Sequence, residues 1–175
     1  MKFLQRLFTR SPSEADPRDA LRPLWHQVIA LARDPVFYRD AGVADTVAGR
    51  FDMVSVVLSI ILLRMERDRV LVQESAFLTE LFVEDMDGQL RESGVGDVVV
   101  GKKVGRLMSV LGGRLGALRE TFAASDNSLL QDALTRNVTM LEGRDTSDLA
   151  ARLRQLADKV AALDSKTLLA GDISL

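Results

Sequence analysis

Apolar positions recur along this chain at helical spacing, in stretches divided by glycine, proline and capping residues. Leu21, Leu24, Trp25, Val28, Ile29 and Ala32 share one face of a first helix that starts near Pro17 or Asp19 and ends about Ala32. Pro23 falls in its opening turns, so the regular part can begin later. Asp34-Pro35 reads as a cap followed by proline, opening a short helix that carries Phe37 and Tyr38 and stops at Gly42. Asp45 or Thr46 then caps a long helix to about Arg67. Between Met53 and Met65 that helix is apolar almost all round, with Ser55 and Ser59 interrupting one side. Such a helix is central and covered by its neighbours.

The next helix runs from about Val70 to Glu92 and ends at Gly94. Its apolar face holds Leu71, Leu78, Leu81, Phe82 and Met86, with Asp85 inside that face. Gly94-Val95-Gly96-Asp97 reads as a turn whose last residue caps a helix over about Val98–Phe122. That helix carries Val100, Val104, Leu107, Met108, Leu111, Leu115, Leu118 and Phe122 in one stripe. A helix over about Asp126–Leu141 stops at Gly143. The last begins near Thr146 or Ser147 and repeats Leu149, Leu153, Leu156, Val160 and Leu163, a heptad seam. That seam fits a homodimer or, more commonly, the core face of a terminal helix. The tail after Ser165 is expected to fray. The pattern predicts an all-α fold: a single compact multi-helix domain of about six or seven helices around a buried central helix. Residues 17–170 form that domain. Residues 1–16 precede it as an amphipathic segment (Phe3, Leu4, Leu7 and Phe8 against Lys2, Arg6 and Arg10) and a polar linker.

Composition narrows the chemistry. The chain has 175 residues and no cysteine, which excludes disulfides, thiol catalysis and thiolate metal sites. Its net charge of -2 gives no overall attraction to nucleic acid, and no sequence-specific nucleic-acid partner is expected. The longest apolar run, Val54–Leu63, is about half of what a membrane span needs. His26 is the single histidine, beside Trp25 on a helix flank with no nucleophile motif near it. No metal ligand set and no phosphate loop are present, so neither a metal nor another cofactor is expected.

Two features need a reason. Gly101, Gly105, Gly112 and Gly116, with Ser109 among them, project onto one strip of a single helix. Each interior glycine costs about 1 kcal/mol relative to alanine. A tight crossing with the central helix would offset that, and so would a groove that receives a partner's helix. Charge is also segregated. Glu80, Glu84, Asp85 and Asp87 crowd the end of one helix, against its macrodipole. Lys102, Lys103, Arg106 and Arg114 form the polar face of the next. Asp85, on an apolar face, should be paired if buried, and Arg50 is the expected partner.

Three stretches carry a resemblance. They are Ala32-Arg33-Asp34-Pro35-Val36-Phe37-Tyr38, then Gly42-Val43-Ala44-Asp45-Thr46-Val47-Ala48-Gly49-Arg50-Phe51-Asp52, and last Phe82-Val83-Glu84-Asp85-Met86-Asp87 with Leu90-Arg91-Glu92, Gly94-Val95-Gly96-Asp97 and Val100-Gly101-Lys102-Lys103. In order and spacing they resemble the ubiquinol–cytochrome c chaperone family, over about residues 20–140. Family members usually have proline at the place of Ala44 and often a histidine where this chain has Leu58-Ser59. The short N-terminus suggests a bacterial member.

The resemblance implies a non-catalytic assembly factor for the respiratory ubiquinol–cytochrome c reductase, complex III. Mitochondrial relatives bind newly made cytochrome b at the membrane-facing ribosome. The expected client is therefore cytochrome b, with the ribosome or the membrane surface as further partners and a location in the cytoplasm, peripheral at the inner face of the membrane. Tyr38, Arg50, Phe82, Asp85, Met86, Asp87, Arg91, Lys102, Lys103 and Arg106 are the residues expected at or beneath the client surface. A helical adaptor with a different client and a small enzyme using His26 are the rival readings.

Overall fold

A computed structural model describes residues 16–92, 100–124 and 126–175, with side chains at 16–88, 105–124 and 126–175. The fold is built on α2 (Val47–Met65). Thr46 starts it: its backbone is extended and its Oγ1 accepts from the Gly49 N–H at 3.1 Å. Every residue from Asp52 to Leu62 is buried. The two serines in that run are satisfied by their own helix. Ser55 Oγ donates to the Phe51 carbonyl at 2.8 Å and Ser59 Oγ to the Ser55 carbonyl at 2.7 Å. That back-bonding lets hydroxyls sit in an apolar interior without a partner from elsewhere.

Four helices cover α2: α1 (Arg22–Ala32), α3 (Val72–Glu92), α4 (Val100–Ala123) and α6 (Ser147–Ala162). α5 (Ser128–Asn137) joins α4 to α6, and α7 (Ser165–Leu169) closes the chain against α1. Seven α-helices and no strand are present among the described residues. The all-α expectation is therefore met, around the expected central helix. A 3-10 turn (Pro17–Leu21) precedes α1, a π turn (Val36–Asp40) follows it, and a second 3-10 turn (Arg69–Leu71) leads into α3.

Two local expectations are corrected, and the two readings left open for the last helix are decided for the core. The helix expected to reach Leu141 stops at Asn137, and Val138 turns extended. Val43 and Met140 form an isolated antiparallel bridge instead, with the Ala44 N–H donating to the Thr139 carbonyl and the Leu141 N–H to the Gly42 carbonyl, both at 2.9 Å. These long-range bonds win over helix propensity that is weak at Val138 and Thr139. The heptad seam of α6 is core: Leu149, Leu153, Leu156 and Val160 are buried, so it is not available to a second copy.

The tail is docked rather than frayed. Asp164 caps α7 by accepting from the Thr167 N–H at 2.9 Å, and Leu168 and Ile173 are buried. Gly171, at φ +74°, lies so close to α1 that a Cβ there would sit 2.9 Å from the Pro23 carbonyl oxygen. The Gln27 side-chain amide donates to the Ile173 carbonyl. Gln27→Ala is expected to lower the unfolding free energy by about 1 kcal/mol, the net worth of one hydrogen bond. Denaturant unfolding checks the loss. Hydrogen exchange at α7 should quicken in the same variant; unchanged exchange would mean that this bond does not hold the tail.

Candidate client-docking face

Arg33 caps the C-terminus of α1, and its exposed side chain lines two depressions. The first, about 500 Å³, is lined by Arg33, Pro35, Tyr38, Arg39, Asp45 and Arg50. The π turn places Tyr38 there, with its hydroxyl donating to the Ala32 carbonyl at 2.7 Å. Burial pushes its phenol above the usual range, so it remains a neutral donor. Arg50 Nε donates to Asp45 at 2.6 Å, and Arg39 Nε to Asp40 at 2.9 Å. Those guanidiniums hold Asp45 and Asp40 below the ordinary carboxylate range. Three arginines against one aspartate leave the lining net positive.

The second depression, about 830 Å³, lies between α1 and α3 and includes Arg22, His26, Ile29 and Asp85. Trp25 contributes to its wall and is almost wholly buried. Beneath it the Phe82 ring meets Trp25 edge-on, with centroids 6.1 Å apart at 76°, and lies 6.2 Å from the Phe51 ring. The three aromatics tie α1, α2 and α3 together, fixing the relative position of the two depressions.

A third depression, a groove of about 780 Å³, opens on the other side of α3 toward α4. Arg18, Glu80, Val83, Glu84, Asp87 and Met108 are among its lining. Arg18 Nη1 donates to Glu84 at 2.8 Å, and its Nε and Nη2 bind Asp16. The Arg18 guanidinium and N–H together hold the Asp16 carboxyl at about 2.

The expected client residues are distributed over this surface. Tyr38 and Arg50 meet in the first depression, Asp85 lines the second and Asp87 the third. Phe82 and Met86 are buried beneath. Arg106 is exposed on α4 and lines none of the three. The side chains of Arg91, Lys102 and Lys103, and the turn at 94–97, lie outside the described residues. The Arg50–Asp85 pair is not formed, because Asp45, five residues away in sequence, takes Arg50.

Arg114 is also corrected. It does not belong to a solvated basic face but is buried, with Nη2 donating to the buried Asp52 carboxylate. Asp52 accepts in addition from the Thr139 N–H at 2.9 Å and Oγ1 at 2.7 Å. Arg114 lies three residues after Leu111 and four before Leu118, the spacing of one helix face, which was a signal in the sequence. Arg33 was likewise visible within the first family stretch.

The described part of the glycine strip makes no tight crossing. A Cβ at Gly105, Gly112 or Gly116 would meet nothing within 4 Å. α4 crosses α2 with its opposite face, through Leu111, Arg114 and Leu118. Among the described residues, no cluster of His, Asp and Glu could hold a metal ion, and no helix is long and apolar enough to cross a membrane.

The model of the family described as ubiquinol-cytochrome C chaperone matches residues 39–175. The second and third family stretches lie inside that match, and the first ends just before it. The crystal structure of the Cbp3 homolog from Brucella abortus is similar, at 33% identity and a TM-score of 0.78, over 89% of this chain and 88% of that one. No curated protein matches.

Proposed function

The chain belongs to the ubiquinol-cytochrome C chaperone family, and from that membership we propose that it binds cytochrome b while the ubiquinol–cytochrome c reductase is assembled. It acts as an assembly chaperone, without a reaction of its own. The family match over residues 39–175 carries this reading. The client docks on the face centred on Arg33, where residues from the first two family stretches meet across one depression and Asp85 of the third lines its neighbour. Asp87, Arg91, Lys102, Lys103 and Arg106 are further candidate contacts of the client.

The net positive lining suits an acidic or carbonyl-rich client segment. Exposed arginines of this kind speed the encounter and select the partner more than they add affinity. The client is a membrane protein, so the chaperone works at the cytoplasmic surface of the membrane.

Capture of cytochrome b from membranes by the tagged full-length chain tests the reading. Charge reversal at two positions, Arg33→Glu with Arg50→Glu, is expected to lower capture roughly fivefold or more, on the order of 1 kcal/mol. Lys159→Glu, on the exposed side of α6, leaves capture unchanged. Undiminished capture by the double variant moves the interface off this face. Unchanged capture after charge reversal at Lys102 and Lys103 removes those two from it. A deletion strain whose membranes keep normal b-type haem spectra and reductase subunits would overturn the function itself.

A further inference from the structure

The groove between α3 and α4 has an unusual makeup for a water-facing surface. Ala76, Val83 and Met108 give it an apolar lining, and Met108 is 43% exposed. Met108 is the α4 residue in the groove's described lining. Glu80 and Glu84 line the same groove, with Arg18 as the cation among its described lining residues. An apolar floor with an acidic surround calls for an occupant that is apolar on one side and basic on the other.

The chain supplies such an occupant at the groove's own end. Arg18 is part of the lining, bonded to Glu84 and Asp16, so the chain enters the described fold at this groove. Before Asp16 come 15 residues outside the described structure, and among them Phe3, Leu4, Leu7 and Phe8 alternate with Lys2, Arg6 and Arg10. At up to about 3.5 Å per residue, the eight residues from Asp16 back to Phe8 can span roughly 28 Å. A tether that short holds the segment at an effective concentration on the order of millimolar, so weak contacts suffice to seat it. Four apolar residues alone give only marginal affinity for a lipid surface.

We propose that the groove between α3 and α4 is the docking site of this chain's own N-terminal segment, Lys2–Arg10. Its apolar residues cover Val83 and Met108, and its cations face Glu80 and Glu84. The site belongs to the chain itself and does not depend on which client the chaperone carries.

The chain has no cysteine, which makes the test direct. Leu7→Cys is combined in the full-length protein with Val83→Cys or, as a second version, Thr79→Cys, and treated with a short bis-maleimide. The control pairs Leu7→Cys with Gln155→Cys on the exposed side of α6. The expected product is an intramolecular link that migrates as a monomer, at a yield about tenfold above the control pair because of proximity in the docked state. Adding Glu80→Lys lowers that yield. A yield equal to the control overturns the proposal. So does a link between two chains, which would make a second copy the occupant. Protection of Leu7→Cys by phosphatidylglycerol vesicles, with no groove link in buffer, would assign the segment to the membrane and also overturn it.

Discussion

Arg114→Met lowers the unfolding free energy by about 3–5 kcal/mol, which for a chain of this size is a fall of roughly 6–20 °C in melting temperature. The reason is Asp52. Its carboxylate is buried on the central helix, one oxygen facing the Arg114 guanidinium and the other accepting two bonds from Thr139. Methionine fills similar volume but leaves an uncompensated buried anion. Arg114 also stacks over Phe51, 5.4 Å from the ring centroid, so the substitution loses that contact too. Adding Asp52→Asn removes the stranded charge. The double variant is therefore expected to lose less than the sum of the two single losses, by at least about 1 kcal/mol. A double-mutant cycle in denaturant measures this, and additive losses would show that the two residues do not act as a pair.

Gly49→Ala is the second large effect, and its sign opposes helix propensity. In an open helical position this change stabilises by about 1 kcal/mol. At Gly49 the new methyl would collide with the Ala44 carbonyl oxygen, with the carbonyl carbon only 3.1 Å away. Ala44 cannot retreat freely. Its N–H is bonded to the Thr139 carbonyl, and its own carbonyl accepts from the Thr46 N–H at 2.8 Å. Relief must pull apart either the cap of α2 or the bridge between Val43 and Met140. The expected loss is about 2–3 kcal/mol or more. Gly112→Ala provides the comparison, because nothing lies within 4 Å of its Cβ position. It should gain about 1 kcal/mol. Melting temperatures that move the same way in both variants would contradict this account of the two glycines.

Much of the local structure was legible in the residues. Thr46 capping α2, proline at the start of α1 and the seam Leu149–Val160 all act within a few residues of themselves, and all stand where the pattern puts them. The apolar character around Val54–Leu63, interrupted only by Ser55 and Ser59, identified the central helix. The candidate face was legible in part. Tyr38 and Arg50 meet in one depression, whereas the pairing of Arg50 with Asp85 was wrong because a nearer acid, Asp45, competes for the same guanidinium. Residue type alone puts Arg114 on the solvated face of α4, whereas its spacing, three residues after Leu111 and four before Leu118, puts it at the core.

By itself, the sequence determined the helical elements, their central member and the family stretches. These depend on helical periodicity, capping and short-range spacing, which need no knowledge of distant residues. The tertiary structure alone decided which face of α4 turns inward, where α5 ends, whether the tail docks, and which base neutralises Asp52. Those outcomes rest on groups 62 to 146 residues apart, such as Asp52 with Arg114 and Gln27 with Ile173. Buried polar groups must find a partner, and packing brings that partner within reach.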